Sequence, residues 1–422
     1  MDSSLTTPPQ PIDPNSCYTG NQLLMYIPGA HQEMHDLLMA RNFIVTNTRI
    51  DTVDSATLSN NDSENSAIVF HNLNIAAVSA NSDILNSVRS ADFDSDTPII
   101  KYQEAERFLY GSVDSTLPTV PDGVWGLYKT GVLSSPLSGK SIRLAIIDSG
   151  IDLSHPDFQG RNISYLSFCS DETVEDLNGH GTHCAGIACS NVPMPGDLRY
   201  GIATNADLFV GKALSTKISG PPRGKDSDVL AAINWAVENG CNIISMSLST
   251  PVAEGTPFSQ IYENLAKTLL DSGILIVAAA GNNSFRNFVN GPIINPVNHP
   301  ANCPSIMAVG AVTSTMEVAN FSARGTNDPS TGGSIDIVAP GVEITSSWST
   351  MATHDPNRYL VLSGTSQATP HVSGIAALYA ESDQNLRGRD LWNKLITTAQ
   401  PLPSLDPRDV GAGLVKAPQT GT

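Results

Sequence analysis

The regular alternation of apolar strands with helices constrains the fold of this chain more than any other feature. Continuous apolar runs, typical of strands buried on both faces, recur at residues 142–147, 207–214, 242–248, 274–280 and 306–312. Two segments between these runs, 226–240 and 258–273, have helical periodicity, and each ends in a glycine suited to cap a helix. Because strands that alternate with helices form parallel sheets, we predict an α/β fold with a doubly wound, mostly parallel sheet.

A smaller unit with a different pattern precedes this alternation. Residues 1–20 are rich in Pro, Ser, Thr and Asn and are predicted to form a flexible tail. Residues 21–113 are predicted to form a small α+β domain of the order β-α-β-β-α-β. Its strands are predicted at 22–28, 43–50, 66–80 and 98–103, and its helices at 30–41 and 81–90. A linker without periodicity, from about 109 to 121, leads into the larger domain, which is predicted at 117–422.

The charge balance excludes several kinds of partner. The 422 residues include 23 Lys and Arg against 41 Asp and Glu, which gives a net charge of −18. Nucleic acid and anionic membranes would be repelled, and no apolar stretch approaches the length of about 18 residues that a transmembrane helix needs. The first residues contain neither a basic nor an apolar segment, so we expect no Sec-type signal peptide and a cytoplasmic protein, or one exported by another route. The six cysteines match no zinc pattern and are expected to be free, buried thiols.

Three polar clusters interrupt the apolar framework and together suggest nucleophilic catalysis. Asp148 follows the run 142–147, His180 stands between two glycines at a predicted helix start, and Ser366 lies between a strand and an apolar helix. A serine hydroxyl becomes a strong nucleophile when an imidazole accepts its proton, and a carboxylate must hold that imidazole in the right tautomer. We therefore predict that these three residues form a catalytic triad. Their order, Asp-His-Ser, differs from that of chymotrypsin-like proteases and of α/β-hydrolases.

A fourth cluster fits the same chemistry. Asn282 follows the apolar run 274–280. A tetrahedral intermediate needs hydrogen-bond donors at the position where its oxyanion forms. The side-chain amide of Asn282 and the backbone N–H of Ser366 are the predicted donors.

These motifs resemble those of the subtilase family of serine proteases. The similar segments are IIDSGIDLSHPD, NGHGTHCAG, ISMSL, VAAAGNN and SGTSQATPHVSG, which lie in this order between residues 142 and 376. The resemblance implies a serine endopeptidase with Asp148, His180 and Ser366 as triad and Asn282 in the oxyanion hole. It also implies that Ser247, Leu248 and Ser249 form a sheet edge that pairs with the extended backbone of a peptide or protein substrate. The family usually has glycine where Ser249 stands, and methionine where Gln367 follows the nucleophile.

The resemblance also gives the smaller unit a role. It is similar to subtilase propeptides, which assist folding and inhibit the enzyme, so we expect a zymogen that cleaves itself between about Glu104 and Pro118. No cofactor is expected for the chemistry, and the protein is expected to be a monomer. A structural calcium ion is expected by resemblance at Asp157, with Asp197 as a further candidate ligand. The metal ligands are otherwise unknown.

Several alternatives remain open from the sequence. A peptide ligase or macrocyclase could use the same triad, with an amine in place of water, and a catalytically silent binding module could keep the same fold. The pair His180 and His183 has the spacing of a metal site but lacks the glutamate of a zincin motif. Asp-Ser-Gly occurs at Asp148 and again at Asp271, as in aspartic proteases, but Asp271 is predicted to end a helix.

Overall fold

The computed structural model describes residues 17–48, 65–111, 124–170, 172–191, 199–217, 221–328, 331–353 and 358–419. Within these ranges the chain forms a small N-terminal sheet and a larger parallel sheet, each covered by helices. No helix in these ranges has the length and apolar character that crossing a membrane requires.

The N-terminal unit is a five-stranded sheet with two helices on one face. Its elements are β1 (Tyr18–Tyr26), α1 (His31–Met39), β2 (Ile44–Thr48), β3 (Ser66–Phe70), β4 (Ile75–Ser79), α2 (Ser82–Phe93) and β5 (Ile100–Gly111). The strands lie in the spatial order β2-β3-β4-β1-β5, and β2 and β3 are the parallel pair. Because side chains alternate between the two faces of a strand, Leu24 and Tyr26 pack under the helices, whereas Leu23 and Met25 pack against the rest of the protein.

Two predictions for this unit were wrong. The run 66–80, predicted as one strand, is the hairpin β3–β4, which turns beside Asn74, a residue in the left-handed region at φ 54° that asparagine tolerates better than most residues. The last strand, predicted to end at 103, continues to Gly111 and takes in the start of the predicted linker. Its final residues pair with strands far along the chain, and a local pattern cannot reveal such partners.

The larger unit is built on seven parallel strands. They are β6 (Arg143–Asp148), β7 (Ile163–Ser167), β8 (Asp207–Lys212), β10 (Ile243–Met246), β12 (Leu275–Ala279), β13 (Met307–Val312) and β14 (Ile337–Pro340). Their spatial order is β14-β13-β12-β10-β6-β8-β7, and every neighbouring pair is parallel. Four shorter strands lie outside this sheet: β9 (Arg223–Lys225), β11 (Leu248–Ser249), β15 (Ile344–Ser347) and β16 (Tyr359–Leu362).

Helices cover both faces of the parallel sheet. They are α3 (Trp125–Thr130), α4 (His180–Cys189), α5 (Asp226–Glu238), α6 (Gln260–Asp271), α7 (Thr350–Thr353), α8 (Thr365–Ser382), α9 (Gly388–Thr398) and α10 (Pro407–Val410). Alternate strand residues face opposite cores: Ile243 packs with α4 and α8, and Ile244 packs with α5 and α6. The predicted doubly wound α/β fold is therefore confirmed. The glycines after α5 and α6, Gly240 and Gly273, have φ of 64° and 93°, the left-handed conformation that ends a helix.

The parallel sheet brings its polar clusters to one edge. Strands β6, β10 and β12 lie side by side and run in the same direction. Asp148 is the last residue of β6, Ser247 follows β10, and Asn282 lies just beyond the end of β12. Binding sites of such sheets lie at the carboxyl ends of the strands, so this edge is where a site is expected.

Candidate active site

Asp148 is held at the centre of this edge. Its side chain is fully buried, and Oδ1 accepts hydrogen bonds from His180 Nδ1 and from the backbone N–H of Ser149, both at 2.7 Å. Strands β8 and β10 flank β6 on either side, so the carboxylate is supported by a rigid sheet. The contact is the one that an acid–base imidazole needs from its orienting carboxylate.

His180 is brought to Asp148 by the glycines that flank it. Gly179 has a φ of 102°, and a side chain at that position would collide with the ring of Trp348. A Cβ on Gly181 would lie 2.3 Å from the carbonyl oxygen of Gly150, so helix α4 and the loop after Asp148 meet at backbone distance. Burial lowers the pKa of His180, but the attraction and hydrogen bond of Asp148 raise it, and the net pKa lies above the ordinary value.

A second buried carboxylate, Asp176, connects the elements that carry Asp148 and His180. Its Oδ1 accepts hydrogen bonds from Ser149 Oγ at 2.9 Å and from the backbone N–H of Asn178 and Gly179. Its Oδ2 accepts from the backbone N–H of Thr182 at 2.9 Å and from the Thr182 hydroxyl at 2.7 Å. The sequence analysis missed Asp176. An acidic residue four positions before His180, with a threonine two positions after it, was the available signal, because acidic side chains favour helix N-termini.

Ser366 lies near the start of α8, in an unusual backbone setting. Pro370 lies in the second turn of the helix. It has no N–H to donate to the carbonyl four residues earlier, which is that of Ser366. This carbonyl instead accepts hydrogen bonds from Ser247 Oγ at 2.8 Å and from Cys184 Sγ at 3.5 Å.

The Ser366 hydroxyl is oriented toward the sheet edge in this conformation. Ser366 Oγ donates to the carbonyl oxygen of Ser247 at 3.3 Å. The buried Nε2 of His180 has no hydrogen-bond partner among the described residues. The predicted hydrogen bond between Ser366 and His180 is therefore not formed here. Hydrogen bonds of this kind often shorten only when substrate is bound.

Cys184 links Ser366 to the histidine–aspartate pair. It lies one turn after His180 on α4, and its Sγ is within 4.8 Å of the side-chain ligand atoms of both His180 and Asp148. Burial raises the pKa of this thiol well above its ordinary value, so it remains protonated. All six cysteines are buried and none forms a disulfide, as predicted.

Asn282 is tied to the residue that precedes the nucleophile. Its Oδ1 accepts hydrogen bonds from the backbone N–H of Thr365 at 2.9 Å and from the Thr365 hydroxyl at 2.7 Å. The Thr365 hydroxyl also accepts from the N–H of Gly281 at 3.1 Å. These bonds fix the orientation of the side-chain amide, in which Nδ2 is the donor group.

The predicted substrate-binding edge is occupied by the N-terminal unit. Leu248 pairs with Gly111, and Ser249 pairs with Tyr110, in antiparallel register. On the opposite edge, the end of β5 pairs with β9. The last residues of β5 therefore lie between β11 and β9. Ser247 does not pair with β5 but bonds to Ser366 as described above. The Ser249 hydroxyl, present where the family usually has glycine, accepts a hydrogen bond from Asn298 Nδ2 at 3.2 Å.

The other histidine and aspartate candidates lie in structural settings. His183 Nε2 bonds to the carbonyl oxygen of Leu360 at 3.0 Å, and burial lowers the pKa of His183 to about 3. Asp271 ends α6, as predicted, where it is exposed and forms an ion pair with Lys267 at 3.3 Å. Within the described residues, the sole cluster of three potential metal-binding side chains is Asp148, His180 and Cys184.

Calcium does not fit the carboxylate of Asp157. This side chain is 1% exposed, and its Oδ1 accepts a hydrogen bond from the hydroxyl of Tyr359 at 3.0 Å. Its Oδ2 accepts one from the hydroxyl of Tyr200. A calcium ion takes six to eight oxygen ligands, whereas each oxygen of this carboxylate already accepts a hydrogen bond from a tyrosine hydroxyl. The other expected ligand, Asp197, lies outside the described residues.

Comparison with known proteins gives a consistent result over most of the chain. A model of the subtilase family matches residues 139–413. Subtilisin DY from Bacillus licheniformis is 35% identical over 282 residues, which cover 67% of this chain and 92% of that protein. Subtilisin E from Bacillus subtilis (strain 168) is 33% identical over 304 residues, 72% of this chain and 71% of that protein. A thermostable alkaline protease from Halalkalibacterium halodurans is 35% identical over 300 residues, 71% of this chain and 73% of that protein.

Proposed function

The chain belongs to the subtilase family and is a serine endopeptidase, and from this premise we propose that Ser366, His180 and Asp148 are its catalytic triad. One observation carries the proposal: the 2.7 Å hydrogen bond between His180 Nδ1 and the buried carboxylate of Asp148. It holds the Nδ1 proton, so the opposite nitrogen, Nε2, is the one that can accept a proton from Ser366.

In the proposed mechanism, Ser366 Oγ attacks the scissile carbonyl carbon while its proton moves to His180 Nε2. The imidazolium is stabilised by Asp148 and then protonates the leaving amine, which leaves an acyl-enzyme. His180 next takes a proton from water, and the resulting attack releases the second product and restores the Ser366 hydroxyl. The raised pKa of His180 favours its role as base, because the protonated form is the one that Asp148 stabilises.

Asn282 is the proposed oxyanion donor. The bonds from Thr365 to its Oδ1 support this role, since they fix the orientation of the side-chain amide. The backbone N–H of Ser366 is the second proposed donor. Two donors placed before the reaction begins stabilise the developing negative charge without reorganisation.

Residues 247–249 are the proposed binding site for the substrate backbone. The antiparallel pairing of Leu248 with Gly111 and of Ser249 with Tyr110 supports this proposal, because a strand of the same chain uses that edge. A substrate strand would form the same main-chain hydrogen bonds, which do not depend on sequence.

We propose that residues 21–113 are a propeptide that inhibits the enzyme and assists its folding. Two acidic side chains of β5 support the folding role. Glu104 Oε1 accepts hydrogen bonds from the N–H groups of Gln260 and Ile261, at 2.6 and 3.2 Å, at the start of α6. Glu106 Oε1 accepts one from Ser227 at 3.0 Å, at the start of α5. The first N–H groups of a helix lack partners within it, so the N-terminal unit supplies caps for both helices.

The bond between Ser112 and Val113 is the proposed site of self-cleavage. The N–H of Gly111 donates to the carbonyl oxygen of Pro222 at 2.9 Å, and a Cβ on Gly111 would lie 3.3 Å from His180 Nδ1. The reacting nitrogen, Nε2, is on the far side of the ring. A strand advances about 3.4 Å per residue, and on this ground we propose that the reacting carbonyl belongs to the next residue in the chain, Ser112, which lies outside the described residues. The bond lies within the range 104–118 that the sequence predicts, and it would end the propeptide one residue before the predicted boundary at 113.

Labelling with a fluorophosphonate, followed by mass spectrometry, tests the triad assignment and the self-cleavage. The expected result is one adduct on Ser366 and a processed chain that begins at Val113. The Ser366→Ala variant should take up no label and should stay at full length. Label on another residue would overturn the triad assignment. Processing of the Ser366→Ala variant in the absence of any other protease would overturn self-cleavage.

A further inference from the structure

The last residues of β5 lie across the cleft with alternating side-chain directions. Leu109 is fully buried in the core that it shares with Leu214 and Leu248. Gly111, two residues later, faces the same side. Tyr110, between them, is half-buried and faces the opposite side. A side chain at position 111 would therefore point into the protein, next to His180.

Three groups enclose the space where a side chain on Gly111 would lie. A Cβ there would be 3.1 Å from Pro222 Cγ, 3.2 Å from Leu214 Cδ1 and 3.3 Å from His180 Nδ1. Gly111 is not among the residues of positive φ, so other residues can adopt its backbone conformation. Space, and not conformation, therefore limits which residue fits.

Each of the three groups is restrained by contacts of its own. His180 Nδ1 is held by Asp148 at 2.7 Å. Pro222 is drawn toward the strand because its carbonyl oxygen accepts the N–H of Gly111. Leu214 is fully buried in the core that it shares with Leu109 and Leu248. The enclosure is therefore set by the catalytic histidine, a proline and a confined leucine.

We infer that the enzyme selects substrates with glycine, or less well alanine, two residues before the scissile bond, and that Leu214 and Pro222 determine this preference. The inference rests on the proposed function, in which β5 lies where substrate lies and is cleaved after Ser112. A methyl group needs its neighbours to yield by a few tenths of an ångström. A valine adds two further carbons against the same three groups, a degree of overpacking that corresponds to a roughly 5- to 150-fold loss.

A series of quenched fluorescent peptides tests the inference with the processed enzyme. The peptides have the sequence Phe-Leu-Tyr-X-Ser-Val-Asp-Ser, that of residues 108–115, with Gly, Ala or Val at X. We expect kcat/KM to fall less than about tenfold for Ala and by roughly 5- to 150-fold for Val. Replacement of the preceding Tyr by Thr is the control, since that side chain faces outward and should change kcat/KM by less than about threefold.

Enzyme variants assign the preference to its residues. Leu214→Ala removes the methyl groups that close the space and should bring the Val peptide to within about fivefold of the Gly peptide. Leu230→Ala is the matched control, because Leu230 is a fully buried leucine of the same core that lies on α5. It should leave the ratio between the Val and Gly peptides unchanged. If the Leu214 variant does not fold, Pro222→Ala enlarges the same space independently.

The outcomes separate this inference from the proposed function. Equal cleavage of the Gly and Val peptides by the unaltered enzyme would overturn the inference while leaving the protease assignment intact. Hydrolysis of casein without cleavage of any peptide between Ser and Val would also overturn it, because the register would be wrong. If neither casein nor the peptides were hydrolysed, the proposed function would fail as well.

Discussion

Replacing Asp176 with asparagine should weaken the protein and change the pH dependence of catalysis together. The substitution removes the negative charge of the carboxylate. It also replaces one carboxylate oxygen with an NH₂ group, which cannot accept the hydrogen bonds that the surrounding groups donate. If the amide oxygen keeps the Ser149 side, the bonds from the Thr182 N–H and hydroxyl are lost. Hydrogen bonds to charged groups contribute about 1.5–3 kcal/mol each, so the free energy of unfolding should fall by roughly 3–6 kcal/mol. Urea titration in the Ser366→Ala background measures this loss without self-cleavage.

The catalytic effect has a defined sign. The negative charge of Asp176 contributes to the raised pKa of His180, so its removal lowers that pKa. In the proposed mechanism catalysis needs neutral His180 as the base, and the acidic limb of the kcat/KM profile then follows the pKa of His180. The Asp176→Asn profile should therefore shift toward lower pH, with a lower plateau because the His180–Asp148 geometry loosens.

Asp152→Asn is a matched control. Asp152 is equally buried and accepts hydrogen bonds from the N–H and hydroxyl of a threonine, Thr350, as well as from Ser154. It should lower stability to a similar extent without moving the acidic limb. An Asp176→Asn profile that superimposes on that of the unaltered enzyme would refute the reasoning, as would an equal shift in the Asp152→Asn variant.

The buried side chains of Glu106, Cys184 and His371 can each be tested by one further experiment. Glu106→Gln in the Ser366→Ala background should lower the free energy of unfolding by about 1–3 kcal/mol, because one of the bonds to Ser227, Thr19 and Asn21 must be lost; an unchanged urea midpoint would contradict the capping role. Iodoacetamide at pH 8 should leave Cys184 unmodified in the folded enzyme, since burial raises the pKa of its thiol; mass spectrometry that found rapid alkylation would count against this. Burial lowers the pKa of His371 to about 4, so its contribution to stability should be lost as pH falls from 6.5 to 4, at up to about 1.4 kcal/mol per pH unit. The difference in unfolding free energy between the unaltered chain and His371→Gln should shrink over that range, and a constant difference would contradict the buried neutral state.

Local patterns predicted most of the fold because each element carries its own signal. Strands such as β6 and β12 are apolar on both faces, and α5 and α6 combine helical periodicity with a terminal glycine. The order of Asp148, His180 and Ser366 within sequence motifs predicted a serine endopeptidase, which the comparisons confirm, and the roles of the three residues stay predictions. These features depend on residues that are close in the chain.

Features that depend on distant residues could not be predicted in the same way. The extension of β5 to Gly111 exists because β9 and β11 pair with it, and residues 109–111 by themselves resemble a linker. Asp157 has the motif position of a calcium ligand, but the two tyrosine hydroxyls that occupy its oxygens come from remote segments. Asp176 was missed because its importance lies in the number of donors that converge on it.

The proline of helix α8 has a mechanical consequence. Because Pro370 cannot bind the carbonyl of Ser366, that carbonyl is claimed by Ser247, and the hydroxyl of Ser366 points to the same residue. The proposed nucleophile is thus anchored to the strand edge proposed to bind the peptide, and less to its own helix. We therefore expect that a substitution that displaces residues 247–249 would displace the Ser366 hydroxyl as well.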